Sequence, residues 1–360
     1  MNTIHLAPGE IDAALRTHRL PGTRFVLEPG IYTTRGGFGF SELDLCMLAP
    51  NCEIIGAGAA LTKIRLVDPV VTHNNSPTQY VEVLTGGART KGGSEHLAMS
   101  GFTLDLTGTT VPTVGVHLWT SRAVIRDVRV VGVMGSRTHP GSVKEGFGIL
   151  VNSANTGDFD GGHKVEDCAV HLAPTESENY TTALFVGCPR GSRPLLRSTV
   201  LRSVCVAKGG HAAFAANDHT DIIDCQAHGF IRCFFCDTGP IREITLRRMF
   251  ADDVQWAMDV RVGSPGDERR GIVVEDSTFV FWAPDGQWVQ AVLAADEAVP
   301  AGTPLDDIEF IRCRFVARDG VRPASKGRTR GQRVGAIAVT DSRWVGPWQS
   351  PVVQDGAKAW

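Results

Sequence analysis

The sequence predicts an all-β chain wound as a single-stranded parallel β-helix, with a short capping helix at its N-terminal end. Three observations predict it. A phrase that reads apolar–x–Asp–Cys–x–apolar at its fullest returns at Met99, Ile125, Val165, Leu201, Ile222, Leu246, Val274, Phe310 and Val339. Its intervals suit a coil of about 21 to 28 residues, lengthened by loops in some turns. A further apolar run precedes most of these phrases, so each coil carries more than one strand. Forty glycines suit a fold with many tight turns.

Stacking the phrases gives each position a role. The first column is apolar throughout. The third holds Gly101, Asp127, Asp167, Ser203, Asp224, Arg248, Asp276, Arg312 and Asp341. Gly and Asp tolerate a left-handed backbone, so this column reads as a recurring sharp bend, which the two Arg members fit less well. The fourth column (Phe102, Val128, Cys168, Val204, Cys225, Met249, Ser277, Cys313, Ser342) and the sixth (Leu104, Val130, Val170, Val206, Ala227, Ala251, Phe279, Phe315, Trp344) point inward. The mostly polar column between them points out, which is strand alternation. The stacked cysteines read as small core residues.

In chain order, Glu10 to His18 forms an amphipathic helix with Ile11, Ala14 and Leu15 on one face. A cap over 1–24 would cover an otherwise exposed sheet end. The β-helix then runs over 25–346, and 347–360 is a tail over the far end. Residues 66–95 are loop-rich around a strand from Tyr80 to Leu84. The coils at Leu201 and Ile222 are short and flanked by coils with longer loops, an arrangement that makes a groove.

A second ladder precedes the bends. It aligns Gly115–Trp119, Gly148–Asn152, Ala183–Gly187, Ala212–Ala216, Cys233–Asp237, Ala257–Arg261 and Ala291–Ala295. By alternation the third column (His117, Leu150, Phe185, Phe214, Phe235, Asp259, Leu293) faces out, as does the fifth (Trp119, Asn152, Gly187, Ala216, Asp237, Arg261, Ala295).

The phrases, with Phe25-Val-Leu-Glu-Pro-Gly-Ile-Tyr32 and Ile54-Ile-Gly-Ala-Gly58 as opening coils, resemble the right-handed parallel β-helix superfamily, the pectin-lyase-like fold. The resemblance runs from about Phe25 to Gly346. It implies right-handed coils and a binding groove on the outer face of the first sheet. No complete catalytic motif of pectate lyases or polygalacturonase-type hydrolases stands in the sequence.

On that face Asp237, Asp259 and Arg261 form the catalytic candidate. The two aspartates, on adjacent coils, would act as acid and base with Arg261 shifting one of them. His117, Trp119, Asn152, Phe185, Phe214, Asn217 and Phe235 would bind substrate, the rings against apolar sugar faces. The bland alternative is a surface ion pair beside a Phe stripe buried under a loop or another subunit. Weaker candidates are His211, Asp218 and His219 around a corner, Lys144 and Glu145 before a groove strand, and Glu176, Glu178, Tyr180, Asp252, Asp253 and Trp256 at the rim. Turn chemistry or solvated loops are the default account of these. Cys233-Phe-Phe-Cys236 would need a helix or knuckle to bind zinc, and on a strand residues three apart should diverge. No metal or cofactor is expected.

A net charge of −3 without a basic block argues against a nucleic-acid partner. No apolar run reaches 18 residues, so no membrane span is expected. The N-terminus lacks a signal-peptide pattern, and nine cysteines form no paired framework; both point to the cytoplasm. Three functions follow. The first is an enzyme cleaving or rearranging a glycosidic bond by carboxylate chemistry, with uronate lyase or epimerase chemistry as a near variant. The second is a cytoplasmic isomerase or cyclase of a small, partly apolar metabolite. The third is a non-catalytic β-helix for binding or homo-oligomeric assembly.

Overall fold

The computed structural model describes residues 2–18, 20–36, 51–69, 72–73, 79–87, 94–135, 145–153, 160–174, 179–187, 195–236, 241–260, 271–282, 289–295, 308–318, 324–330, 337–349 and 353–354. Every strand pairing among them is parallel except Thr72–His73 against Gln79–Gly87. Each strand pairs with its counterpart one coil later. For example, Ser198–Leu201 lies on Thr220–Ile223, which lies on the strand Ile244–Arg247. This is the stacked-coil fold that the repeat predicts.

Three sheets run along the axis. One precedes the bend and one follows it. The third includes Thr113–Ser121, Gly146–Asn152, Asn179–Gly187, the later part of Val204–Ala216, the later part of Gln226–Cys236, and Trp256–Val260. The core is one continuous apolar column inside the coils, from Ile11 and Phe25 to Phe315 and Ala317. The capping helix spans Asp12–Thr17 and buries Leu15. Its Asp12 is buried and accepts hydrogen bonds from the Thr34 hydroxyl (2.5 Å) and the Arg35 amide (2.8 Å), pinning the helix to the first coil. Parallel stacking already begins at Asn2–Leu6, which pairs with Thr23–Leu27, whereas the sequence reading set the first coil at Phe25.

The bend column is left-handed, as its composition predicts. Gly101, Asp127, Asp167, Asp224, Arg248, Asp276, Arg312 and Asp341 all have φ between 49° and 70°. One coil is shifted from the expected alignment. Its bend is Arg202 (φ 48°), and Val200, not Leu201, stacks on Ile222. Ser203 and Cys205 therefore take the inward places expected for Val204 and Val206; both are fully buried, while Val206 is half-buried. A one-residue slip in a strand exchanges its faces, so the apolar core sets this register.

The arginines in the bend column also gain an explanation. Arg202, Arg248 and Arg312 each make two hydrogen bonds to the aspartate at the preceding bend: Asp167 (2.6 and 2.9 Å), Asp224 (2.5 and 2.7 Å) and Asp276 (2.6 and 2.9 Å). These bonds hold all three aspartates below the ordinary carboxylate range.

Candidate active site

The outer face of the third sheet is built by an interruption of simple alternation. In each strand two consecutive residues face the core: Ala183 and Leu184, Ala213 and Phe214, Cys233 and Phe234, Ala257 and Met258. The first of each pair is small because the sheet turns a corner there. A Cβ placed on Gly148, the equivalent residue one coil earlier, would stand 2.3 Å from the Val170 side chain of the neighbouring sheet. The kink corrects two readings of the sequence. Phe214 points inward and is fully buried in the core, and Ala215 takes its place beside Phe185. Cys233 and Cys236 both point into the core rather than diverging. Burial pushes the Cys233 thiol up, and it pushes Cys225, on another sheet, up to about 12.

The outward column is therefore Thr85, His117, Leu150, Phe185, Ala215, Phe235 and Asp259, in successive register. Three residues before it runs Glu82, Val114, Phe147, Thr182, Ala212, Arg232 and Trp256. These two columns hold Glu82, His117, Arg232 and Asp259.

Its largest cluster lies at mid-chain. Tyr180 packs its ring against His211, with centroids 4.3 Å apart. Nδ1 of His211 lies 3.5 Å from Oε1 of Glu145, and the same oxygen accepts a 2.5 Å hydrogen bond from the Thr182 hydroxyl. Phe235 meets the other side of the imidazole edge-on at 5.2 Å. Arg232 donates from Nη1 to the His211 carbonyl (3.4 Å) and from Nε to Asp259 (2.5 Å). Its guanidinium also lies 4.5 Å from the Trp256 ring and 5.3 Å from that of Phe235. Arg232 is 3% exposed and Asp259 is fully buried. Glu145 and Tyr180 are half-buried and give the cluster a solvent-facing edge.

A second polar pair lies toward the N-terminal end of the same face. Glu82 and His117 are both buried, with Oε1 and Nδ1 3.0 Å apart. The His117 ring lies 5.1 Å from that of Trp119. Trp119 registers with Asn152, and both are partly exposed. Between this pair and the mid-chain cluster lies an apolar strip of Val114, Phe147, Leu150 and Phe185.

Asp259 lies on the face that its sequence column predicts, where it is ion-paired with Arg232. Asp237 and Arg261 lie outside the described residues, as do Lys144, Glu176 and Glu178. Asp259 is held by Arg232, and an aspartate buried in that ion pair is not a solvent-facing acid or base. Arg232 itself was missed. The available signal was a lone arginine in a column of otherwise uncharged residues beyond Glu82. Phe235 (6% exposed) and Phe185 do line the face, separated by Ala215. Asn217 continues the Trp119–Asn152–Gly187 column at the corner and is mostly buried, its amide bonded to the Val186 carbonyl. Asp218 is buried against Arg242 (2.8 Å), and His219 lies 3.5 Å from Glu243. Asp252 bonds to Arg318 at 2.6 Å, and Asp253 bonds to the same arginine. Among the described residues no three His, Cys, Asp or Glu side chains converge as a metal site.

No protein-family profile matches the sequence, and no curated protein matches it. Solved structures do. The A-module of mannuronan C-5 epimerase AlgE4 from Azotobacter vinelandii superposes with a TM-score of 0.55 at 13% identity, covering 96% of this chain and 94% of that one. The fold is the parallel β-helix. An alginate lyase from a Paenibacillus strain aligns over 97% of this chain and 99% of its own, at 11% identity and a TM-score of 0.38. A glucanase catalytic unit from Streptomyces thermodiastaticus covers 96% of this chain with 68% of its own, at 12% identity and a TM-score of 0.41.

Proposed function

We propose that this protein is a carbohydrate-active enzyme that removes the proton beside a sugar carboxylate, in the manner of a uronate lyase or epimerase, at the Glu145–Tyr180–His211–Arg232 cluster. One observation carries the reading. A phenol and an imidazole lie ring against ring on the outer sheet face, with a carboxylate engaging one imidazole nitrogen and a fixed guanidinium beside the same histidine. Abstracting a proton alpha to a carboxylate needs a base, a proton donor and positive charge for the electron pair that moves onto the carboxylate. Tyr180, half-buried at the solvent-facing edge, takes the C5 proton; His211, almost fully buried, backs its ring with Glu145 at Nδ1. Arg232 places its charge next to the pair. Return of a proton from water to the opposite face of C5 inverts the sugar. Return of the Tyr180 proton to O4 instead breaks the C4–O4 bond as the substituent leaves, and the C5 electron pair forms the double bond of an unsaturated sugar. The likeness of fold to a protein named mannuronan C-5 epimerase supports this choice over hydrolysis by two carboxylates.

The test is turnover of mannuronan and polygalacturonate in D2O, followed by NMR. Deuterium at C5 or a C4–C5 double bond is expected. Tyr180→Phe and His211→Asn should each cost about 100-fold or more. New reducing ends without either signature, or full activity in both variants, would overturn the proposal. A second reading, a small and partly apolar ligand enclosed on this face, draws on the burial of Leu150 and Phe235. It predicts no turnover of any polymer.

A further inference from the structure

We infer that Trp119 and Asn152, backed by the Glu82–His117 pair, form a distal saccharide subsite that makes the enzyme selective for oligomers over single sugar acids. The inference rests on the reading that the mid-chain cluster is the reaction centre. The two regions share one face, and the residues that flank them share columns. Glu82 stands in the column of Thr182 and Arg232, and His117 in that of Phe235 and Asp259. From the Trp119 strand to the His211 strand is three coils, roughly 14 Å along the axis at the spacing of neighbouring strands. Across the strands His211 stands six residues before Asn217, which continues the Trp119 column, so the ends are farther apart than the axial spacing. No monosaccharide reaches across that distance. Only an oligomer laid obliquely over the face touches both ends.

The chemistry of each part suits that use. Trp119 and Asn152 are adjacent in register and partly exposed, so an apolar sugar face has an indole to lie on and its hydroxyls have an amide to bond. The strip of Val114, Phe147, Leu150 and Phe185 offers the span between the ends an apolar floor. Glu82 and His117 lie beneath, almost fully buried. A buried carboxylate–imidazole pair contributes little to stability compared with an apolar pair of the same volume. Here its histidine lies against the Trp119 ring and fixes the orientation of the indole. Glu82 and His117 are thus positioning residues, and Trp119 and Asn152 are the contacts.

The experiment is binding and turnover of oligomannuronates from two to six residues, measured by calorimetry and by steady-state kinetics. In the unaltered protein the hexamer should bind at least about tenfold more tightly than the dimer. Trp119→Leu, at a partly exposed position, should abolish that gain through KM. Glu82→Gln should reduce it, and Glu309→Gln, exposed on another sheet, serves as the control. Equal affinity for dimer and hexamer in the unaltered protein overturns the inference, as does an undiminished length dependence in Trp119→Leu. The two proposals fail separately. Loss of the length effect with C5 chemistry intact removes the subsite alone. Length-dependent binding without C5 chemistry removes the reaction and leaves the subsite.

Discussion

Replacing Asp259 by Asn separates the two accounts of this residue. If Asp259 were a solvent-facing acid or base, its loss would affect activity and leave stability nearly unchanged. The structure instead buries it completely, with one oxygen 2.5 Å from Nε of an Arg232 that is 3% exposed. At an effective dielectric constant near 20, unit charges roughly 4 Å apart attract by about 4 kcal/mol. Breaking a buried pair from one side is costly, so Asp259→Asn should destabilise the protein by about 3–5 kcal/mol. Urea unfolding followed by tryptophan fluorescence and by circular dichroism measures this, and Trp256, packed on the guanidinium, reports locally. The double replacement Arg232→Met with Asp259→Leu should recover stability to within about 1 kcal/mol of the parent while losing the bond to the His211 carbonyl, and activity with it. A cost below about 1 kcal/mol for Asp259→Asn, the range of exposed pairs, would refute the reasoning and return Asp259 to the surface.

Other predictions follow from the scaffold. His163 is fully buried and burial pushes it down to about 3; its Nδ1 accepts from the Ala123 amide, and Nε2 pairs with the Ser153 hydroxyl at 3.0 Å. The unfolded chain takes up a proton below about 6.5 that the folded chain refuses. Stability should therefore fall by about 1.4 kcal/mol per pH unit between pH 6.5 and pH 3 from this residue alone, and His163→Gln should flatten that slope. The bend aspartates Asp167, Asp224 and Asp276 are held low by their arginines, so their contribution is present above pH 4 and is lost as pH falls through their folded values. A pH titration of stability in His163→Gln isolates that lower window, and no change below pH 4 would count against the ladder. Arg248→Gly should leave the urea midpoint nearly unchanged, because relief of a left-handed non-glycine residue offsets an exposed ion pair; a clear fall in that midpoint would show otherwise. Seven of the nine cysteines are buried thiols, so a thiol reagent at pH 8 should label no more than Cys46 and Cys188 before unfolding.

Sequence alone carried the winding. The bend column, the inward apolar columns and the capping helix are local patterns of period two or of fixed coil length, and each residue's preference agrees with its neighbours in the stack. It also determined which sheet face carries His117, Trp119, Phe185, Phe235 and Asp259. The tertiary structure decided what these residues meet. The inside corner of the third sheet turns two consecutive residues inward, which sends Phe214 and both Cys233 and Cys236 into the core and breaks the expected aromatic stripe. Strict alternation cannot encode such a kink, because it depends on small residues packing against a neighbouring sheet. The register of the Val200 coil was settled likewise, by which face found the core. Arg232, which pairs with Asp259, comes from one coil earlier, while Glu145 reaches across two coils to His211. Contacts made across coils join residues far apart along the chain, and only the stacking brings them together.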